Sequence, residues 1–383
     1  MTVILRSLCA LVLYAVLLLN GVLILSTSVS AKDQPSHTPP YFKQLSQEQG
    51  LNSRWVKTLA QDPFGFIWIG SANGLQRYDS YRVIDIKGPD NIFEGTVVSD
   101  LLLDSSNRLW VANEKSAYSI DPGTLNIKQQ MFEGDQFSQA ASHPVLQIKQ
   151  DSNETLWFAR WDGIYYLEKG SQVAKAFKTP LTEIDFNNDG ILSVAAFQQQ
   201  LFIGTTRGLY ITDQKQQHLK KVRFSELGHP TLNDAAVRDI TVIQQRIWIA
   251  TEQGLFQLPL EALNDNQIAR TPALVQAISY SFRQFNGETW VATADGVYKI
   301  DNHDQRLSKV FNLNNGNFVS QNNAVYSLLF DQQGYLWMGT SGNGVFQWDP
   351  QSLSVTPYLR NQHDSSRYGQ FSNIWSIYAA DNN

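Results

Sequence analysis

From Leu51 onward, short apolar runs and polar turns alternate with one long period. Trp68, Trp110, Trp157, Phe202, Trp248, Trp290 and Trp337 each open the same pattern: an apolar residue, then Gly or Ala, then a short polar turn. In most copies the turn closes on Gly and a second apolar run follows, as in Trp68-Ile-Gly-Ser-Ala-Asn-Gly74-Leu and Trp248-Ile-Ala-Thr-Glu-Gln-Gly254-Leu. Successive aromatics lie 42 to 47 residues apart. The second copy ends its turn on Ser116 and has lost the glycine.

Each repeat predicts three or four short strands. An apolar run such as Val56 to Ala60 or Val325 to Phe330 precedes the aromatic, and a turn joins the two. Asp62-Pro-Phe-Gly65 and Asp331-Gln-Gln-Gly334 place Asp and Gly where a type I turn favours them. Copies four to six shorten this turn to two residues, ending with the hairpin signal Asn286-Gly287. Later strands such as Leu75 to Tyr78 and Val345 to Trp348 complete the unit, with weaker outer strands such as Val355 to Leu359. A small sheet that is apolar on both faces must be covered on both. Radial stacking of like sheets does this, and the repeat length is that of a propeller blade. The expectation is an all-β propeller of seven four-stranded blades, with each Trp or Phe filling the space between neighbours.

The expected domains are 1–31 as a signal peptide or uncleaved anchor and 32–50 as a lead-in. Residues 51–360 hold the seven repeats, and 361–383 begin an eighth that breaks off before its aromatic strand. Tyr41 to Leu45 is placed to complete the last blade. Arg6, the apolar run Leu8 to Leu25 and the small residues Val29 and Ala31 before Lys32 form the export signal. The body of the chain is expected to be exported, and periplasmic in a bacterium with two membranes. The one cysteine, Cys9, lies in that segment, so the mature chain has no disulfide, zinc thiolate or Cys nucleophile. A formal charge of −5 without clustered Lys and Arg argues against nucleic acid.

Candidate chemistry is sparse. Asp185-Phe-Asn-Asn-Asp189-Gly190 opens like a calcium loop, but its twelfth position is Ala196 rather than a carboxylate. It reads as a polar turn. His37, His143, His218, His229, His303 and His363 are scattered through loops without metal-ligand spacing. No catalytic motif is present, and neither metal nor cofactor is expected. The turns after each aromatic strand should instead gather on one face, around the mouth of the central channel, with the loops leading into each innermost strand. Loops on a rigid scaffold are where recognition usually sits. The candidate ligand-binding residues are Arg54, Trp55, Arg160, Trp161, Asp162, Arg207, Glu252, Asp295 and Asn343, with Asn322 and Asn323 beside them. Trp161 is aromatic where other copies are polar or small. With Arg160 and Asp162 it can form a stacking platform for a sugar-like ligand, or simply pack on the adjacent loop.

The stretch Gln61-Asp62-Pro-Phe-Gly-Phe-Ile-Trp68-Ile-Gly-Ser-Ala-Asn-Gly74-Leu-Gln-Arg-Tyr78-Asp79 resembles the two-component regulator propeller repeat. The first and seventh copies carry the resemblance most fully. It implies the periplasmic sensor region of a hybrid histidine kinase or membrane diguanylate cyclase, with a carbohydrate or related small molecule as ligand. The output domain of such a protein would lie beyond these residues, and the interrupted eighth repeat leads us to expect a longer working protein. The membrane would then be met only through the signal segment or a later helix, with a homodimer as one assembly of the full sensor. A stand-alone secreted binding or scaffold propeller is the other reading; an enzyme is not expected.

Overall fold

In a computed structural model of the chain, the structure describes residues 42–135, 144–178, 189–213, 219–222, 234–261, 273–303, 306–311 and 324–350. The 1–31 segment, Tyr41, Val355 to Leu359, the 361–383 repeat, Asn322, Asn323 and every histidine except His303 lie outside them. All described residues fall in the unit Tyr41–Ser352.

These residues form seven small antiparallel sheets, or blades. Blade 1 runs outward from the centre through Val56–Gln61, Ile67–Ser71, Gly74–Tyr78 and Val83–Ile86. Blade 2 follows with Val98–Leu103, Leu109–Asn113, Ala117–Ile120 and Ile127–Gln129. Blade 3 has Val145–Gln150, Leu156–Arg160, Gly163–Leu167 and Val173–Ala176, plus Met131–Phe132 added in parallel at its outer edge. Blade 4 is Ile191–Phe197, Gln200–Thr205, Gly208–Asp213 and Leu219–Lys221. Blade 6 is Ser279–Phe285, Glu288–Thr293, Gly296–Asp301 and Leu307–Phe311.

Blade 5 shows three strands among the described residues. Its sheet holds Val237–Ile243, Arg246–Thr251 and Gly254–Pro259, and a single bridge from Leu255 to Val275 stands where a fourth strand would lie. The chain there passes so close that the Val275 carbonyl occupies the space of a Cβ on Gly254, whose φ of +130° also requires glycine. Blade 7 is made from both ends of the unit. Val325–Phe330, Leu336–Thr340 and Val345–Trp348 are joined by Lys43–Leu45, which pairs antiparallel with Val345 to Gln347.

The core is seven separate clusters, one between each pair of neighbouring blades. Trp68 sits in the first with Val98, Leu101, Leu109 and Val111 of blade 2. Trp110, Trp157, Phe202, Trp248 and Trp290 repeat that placement around the ring. Trp337 packs onto Val56, Leu59, Ile67, Ile69 and Tyr78 of blade 1, which closes the ring at seven. The small residue after each aromatic pair follows from this packing. A Cβ on Gly70 would strike Thr58 of its own blade and Val98 of the next.

Candidate functional site

Every innermost strand carries a β-bulge at its second residue. Register slips between Val56 and Thr58, Val98 and Asp100, Val145 and Gln147, Ile191 and Ser193, Val237 and Asp239, Ser279 and Ser281, and Val325 and Ser327. The extra residue lets the first and fourth positions of a strand, such as Val56 and Leu59, share one core although simple alternation would separate them. It also leaves one side chain per blade outside the sheet pleat. These are Lys57, Ser99, Leu146, Leu192, Arg238, Tyr280 and Tyr326, and all seven line the central channel, a cavity of about 540 Å³.

The third position is polar in every blade: Thr58, Asp100, Gln147, Ser193, Asp239, Ser281 and Ser327. All but Ser327, whose Oγ has no partner among the described residues, tie blades together. Asp100 Oδ2 accepts from the Ile148 amide at 2.9 Å, and Gln147 Oε1 from the Val194 amide at 3.0 Å. Ser193 Oγ donates to the Val237 carbonyl at 2.9 Å, and Ser281 Oγ to the Tyr326 carbonyl at 2.9 Å. Asp239, buried, accepts from both Gln147 Nε2 and Lys149 Nζ at 2.9 Å, spanning blade 4. Burial pushes the Asp100 carboxyl above the usual carboxylate range, and Asp239 adds to the rise; the Ile148 amide, Lys149 and Arg283 offset part of it.

At the mouth, the turn after each aromatic strand hydrogen-bonds to the residue just ahead of the same blade's innermost strand. The amides of Ala72, Glu114, Trp161, Thr206, Glu252, Ala294 and Ser341 donate to the carbonyls of Trp55, Val97, Pro144, Gly190, Ala236, Ile278 and Ala324. The two sets of loops thus share one face. Thr or Ser usually shapes the turn: Thr251 Oγ1 donates to the Gly254 carbonyl at 2.9 Å and accepts from the Gln253 amide at 3.0 Å.

The named candidates separate into three groups. Trp55 and Glu252 belong to a chain of side chains at the mouth. Trp55 is 43% exposed, with Lys57 Nζ 5.4 Å above its ring and the Tyr326 ring 6.1 Å away. Tyr280 lies 4.4 Å from Tyr326, and Arg238 packs over Tyr280 at 5.5 Å. Arg238 Nη2 donates to Glu252 Oε1 at 2.7 Å. Arg54, Arg207, Asp295 and Asn343 are held by their own surroundings. Arg54 Nε donates to Gln47 Oε1, Arg207 pairs with Asp189 at 3.7 Å, and the Asn343 carbonyl accepts from Gln44. Asp295 accepts from Lys309 Nζ of the outermost strand and from the Tyr298 hydroxyl; the Lys309 bond lowers its pKa most.

Arg160, Trp161 and Asp162 correct the expected platform. Arg160 stands where blades 4 to 7 have Thr, and its side chain is 1% exposed. Its guanidinium is gripped by Asp162 through Nε at 2.9 Å and Nη2 at 2.8 Å, and by Asp135 through Nη1 at 3.0 Å. Tyr165 and Phe132 cover its faces. It is a buried clamp because its fork is saturated by carboxylates, and it presents nothing to a ligand. Trp161, 41% exposed, lays its six-membered ring over Gly190 of the next blade. Of the calcium-like turn, Asp189 and Gly190 are described, and Asp189 faces Arg207. No group of three or more metal-binding side chains occurs among the described residues.

Lys57, Arg238, Tyr280 and Tyr326 were not among the sequence candidates. One signal points to them: the second position of the innermost strand varies from Lys to Leu to Tyr between a first position that is Val or Ile in every blade but the sixth, where it is Ser279, and a polar third position.

The described residues thus form a closed seven-bladed propeller with a polar, lined channel and a loop-ringed mouth. The sequence profile of the two component regulator propeller matches residues 50–73 and 320–342, in the segments that form blades 1 and 7. Comparison with curated proteins found no match. Among solved structures, the fold is similar to the extracellular domain of a putative hybrid two component system from B. thetaiotaomicron. The TM-score is 0.67 and the identity 20%, covering 81% of this chain and 42% of that one. A second such domain from B. thetaiotaomicron gives 0.63 and 21%, covering 82% and 40%. The chain therefore spans about two fifths of those domains. A streptogramin B lyase shares the fold at 0.57 and 12%, covering 81% and 97%. No described helix is long and apolar enough to cross a membrane.

Proposed function

We propose that this chain is the periplasmic ligand-sensing propeller of an exported two-component-type signalling protein, and that its ligand is a carbohydrate or related small molecule bound at the channel mouth. The domain plan supports this as read from the sequence: an export segment over 1–31, a lead-in to residue 50, the repeats, and a further repeat from 361. The observation that carries the site is the arc Lys57, Trp55, Tyr326, Tyr280, Arg238 and Glu252, which joins flat aromatic faces to charged groups at one end of a 540 Å³ channel. Aromatic faces with a few convergent polar groups are what a sugar ring needs. The likeness to extracellular domains of two-component systems supports the sensing role.

The test is calorimetric titration of the full chain against a panel of neutral and acidic oligosaccharides. Saturable binding that Tyr326→Ala or Trp55→Ala removes, without lowering the melting temperature by more than a few degrees, is the expected result. A panel with no saturable binder overturns the reading.

A further inference from the structure

The channel mouth holds cations that the protein neutralises only in part. Four cations line the cavity, Lys57, Lys149, Arg238 and Arg283, in a chain whose net charge is −5. Of the three lining carboxylates, Asp100 accepts from the Ile148 amide and the Thr58 hydroxyl, Asp239 is committed to Lys149, and Asp331 to the Trp337 indole. Lys57 has no hydrogen-bond acceptor among the described residues; its ammonium rests over the Trp55 ring. Burial, and secondarily Arg238, hold it below the usual lysine range. Arg238 gives one N–H to Glu252, while its Nε is buried without an acceptor. Two like charges are thus directed into one half-buried space, an arrangement that an entering anion relieves.

The Glu252 carboxylate identifies the anion. It already sits on the guanidinium of Arg238, so the fork of that residue is oriented toward a carboxyl group at this point of the mouth. Beside it, Tyr280, Tyr326 and Trp55 follow one another as a row of aromatic rings tilted by 50° and 39°. Resting on the proposed channel site, we propose that the ligand is a carboxylated sugar of the uronate class. Its carboxylate sits between Lys57 and Arg238, its ring lies on the tyrosine–tryptophan row, and Glu252 holds Arg238 until the ligand displaces it.

The experiment titrates the full chain with digalacturonate, with neutral galactobiose of the same linkage, and with inorganic phosphate. Digalacturonate should bind at least about tenfold more tightly than the neutral disaccharide or phosphate, and weaken as salt is raised. Lys57→Met and Arg238→Gln should each lower that affinity by about tenfold or more, whereas Glu252→Gln should raise it several-fold. The melting temperature of Lys57→Met should hold or rise, because the variant removes an unpaired cation. A purely structural role for Lys57 would lower it. Equal affinity for the two disaccharides, or charge variants that bind like the parent chain, overturns the uronate assignment. In that case galactobiose binding lost in Tyr326→Ala keeps the channel site itself. Phosphate binding as tightly as digalacturonate overturns the sugar assignment.

Discussion

Blades 1, 2, 3 and 7 hold their tryptophans differently from blades 5 and 6. In the first group the Trp indole donates to an Asp six residues earlier: Trp68 to Asp62 at 2.8 Å, Trp110 to Asp104 at 2.8 Å, Trp157 to Asp151 at 2.9 Å and Trp337 to Asp331 at 2.7 Å. The same carboxylate organises the turn. Asp62 Oδ1 accepts from the Phe64 and Phe66 amides at 3.0 Å, and Asp331 Oδ1 accepts from those of Gln333 and Tyr335. In blades 5 and 6 the turn is two residues long and has no Asp. The buried Nε1 atoms of Trp248 and Trp290 have no acceptor among the described residues. Blade 4, which also has the short turn, carries Phe202 and so has no indole to satisfy.

The comparison shows that the Asp turn and the Trp are one unit. Area alone asks only for a large flat ring between blades, and Phe202 meets that demand. The indole N–H is an advantage only where a carboxylate reaches it. Where the turn contracts, the N–H becomes a buried donor worth about 1–3 kcal/mol against folding.

Truncating the rings gives the largest effect. Trp248→Ala should destabilise by about 3–5 kcal/mol through the cavity it leaves. Trp68→Ala should cost about 1 kcal/mol more, since it also takes the indole donor from Oδ2 of the buried Asp62. Urea titrations followed by far-ultraviolet circular dichroism compare the two. Equal losses would break the distinction between the blade groups.

Removing the carboxylate is next. Asp331→Ala should cost about 2–3 kcal/mol, because one indole and two amide N–H groups lose a charged acceptor together. A melting temperature within a degree of the parent would show that the turn stands without it. Exchanging only the indole is gentler. Trp290→Phe should be neutral or stabilising, whereas Trp68→Phe should cost about 1–2 kcal/mol. Thermal melts of the two variants in parallel decide this, and a larger loss at position 290 would reverse the comparison.

Much of the ring was legible in the residues. The aromatic period marked the blades, and Asp-x-x-Gly in blades 1 and 7 against two-residue turns in blades 4 to 6 marked part of the division. The position of each Trp between its own blade and the next follows from sheets that are apolar on both faces. The site was less legible. The mouth residues Trp55 and Glu252 could be named from loop position, and Asp162 was named beside Arg160, but the second carboxylate on Arg160, Asp135, lies 25 residues away and gives no local signal. Lys57, Arg238, Tyr280 and Tyr326 reach the channel through a bulge, and a bulge shows only as an apolar spacing that simple alternation cannot satisfy.

The short turns offer the finest probe of the comparison. A two-residue hairpin of the kind seen here needs positive φ at both positions. Blade 6 meets this with Asn286 at 48° and Gly287 at 77°. Blade 5 forces Gln244 to 50° and Gln245 to 59°, a region that costs an L side chain about 1–2 kcal/mol per residue. The double change Gln244→Asn and Gln245→Gly should therefore stabilise the chain by about 1 kcal/mol, part of the strain relief being offset by the added freedom of glycine when unfolded. The reverse change in blade 6, Asn286→Gln with Gly287→Gln, should destabilise by a similar amount. Chemical denaturation midpoints at constant slope measure both. If neither moves, the short turns are not strained, and the lost indole bond alone separates blades 5 and 6 from the Asp-anchored group.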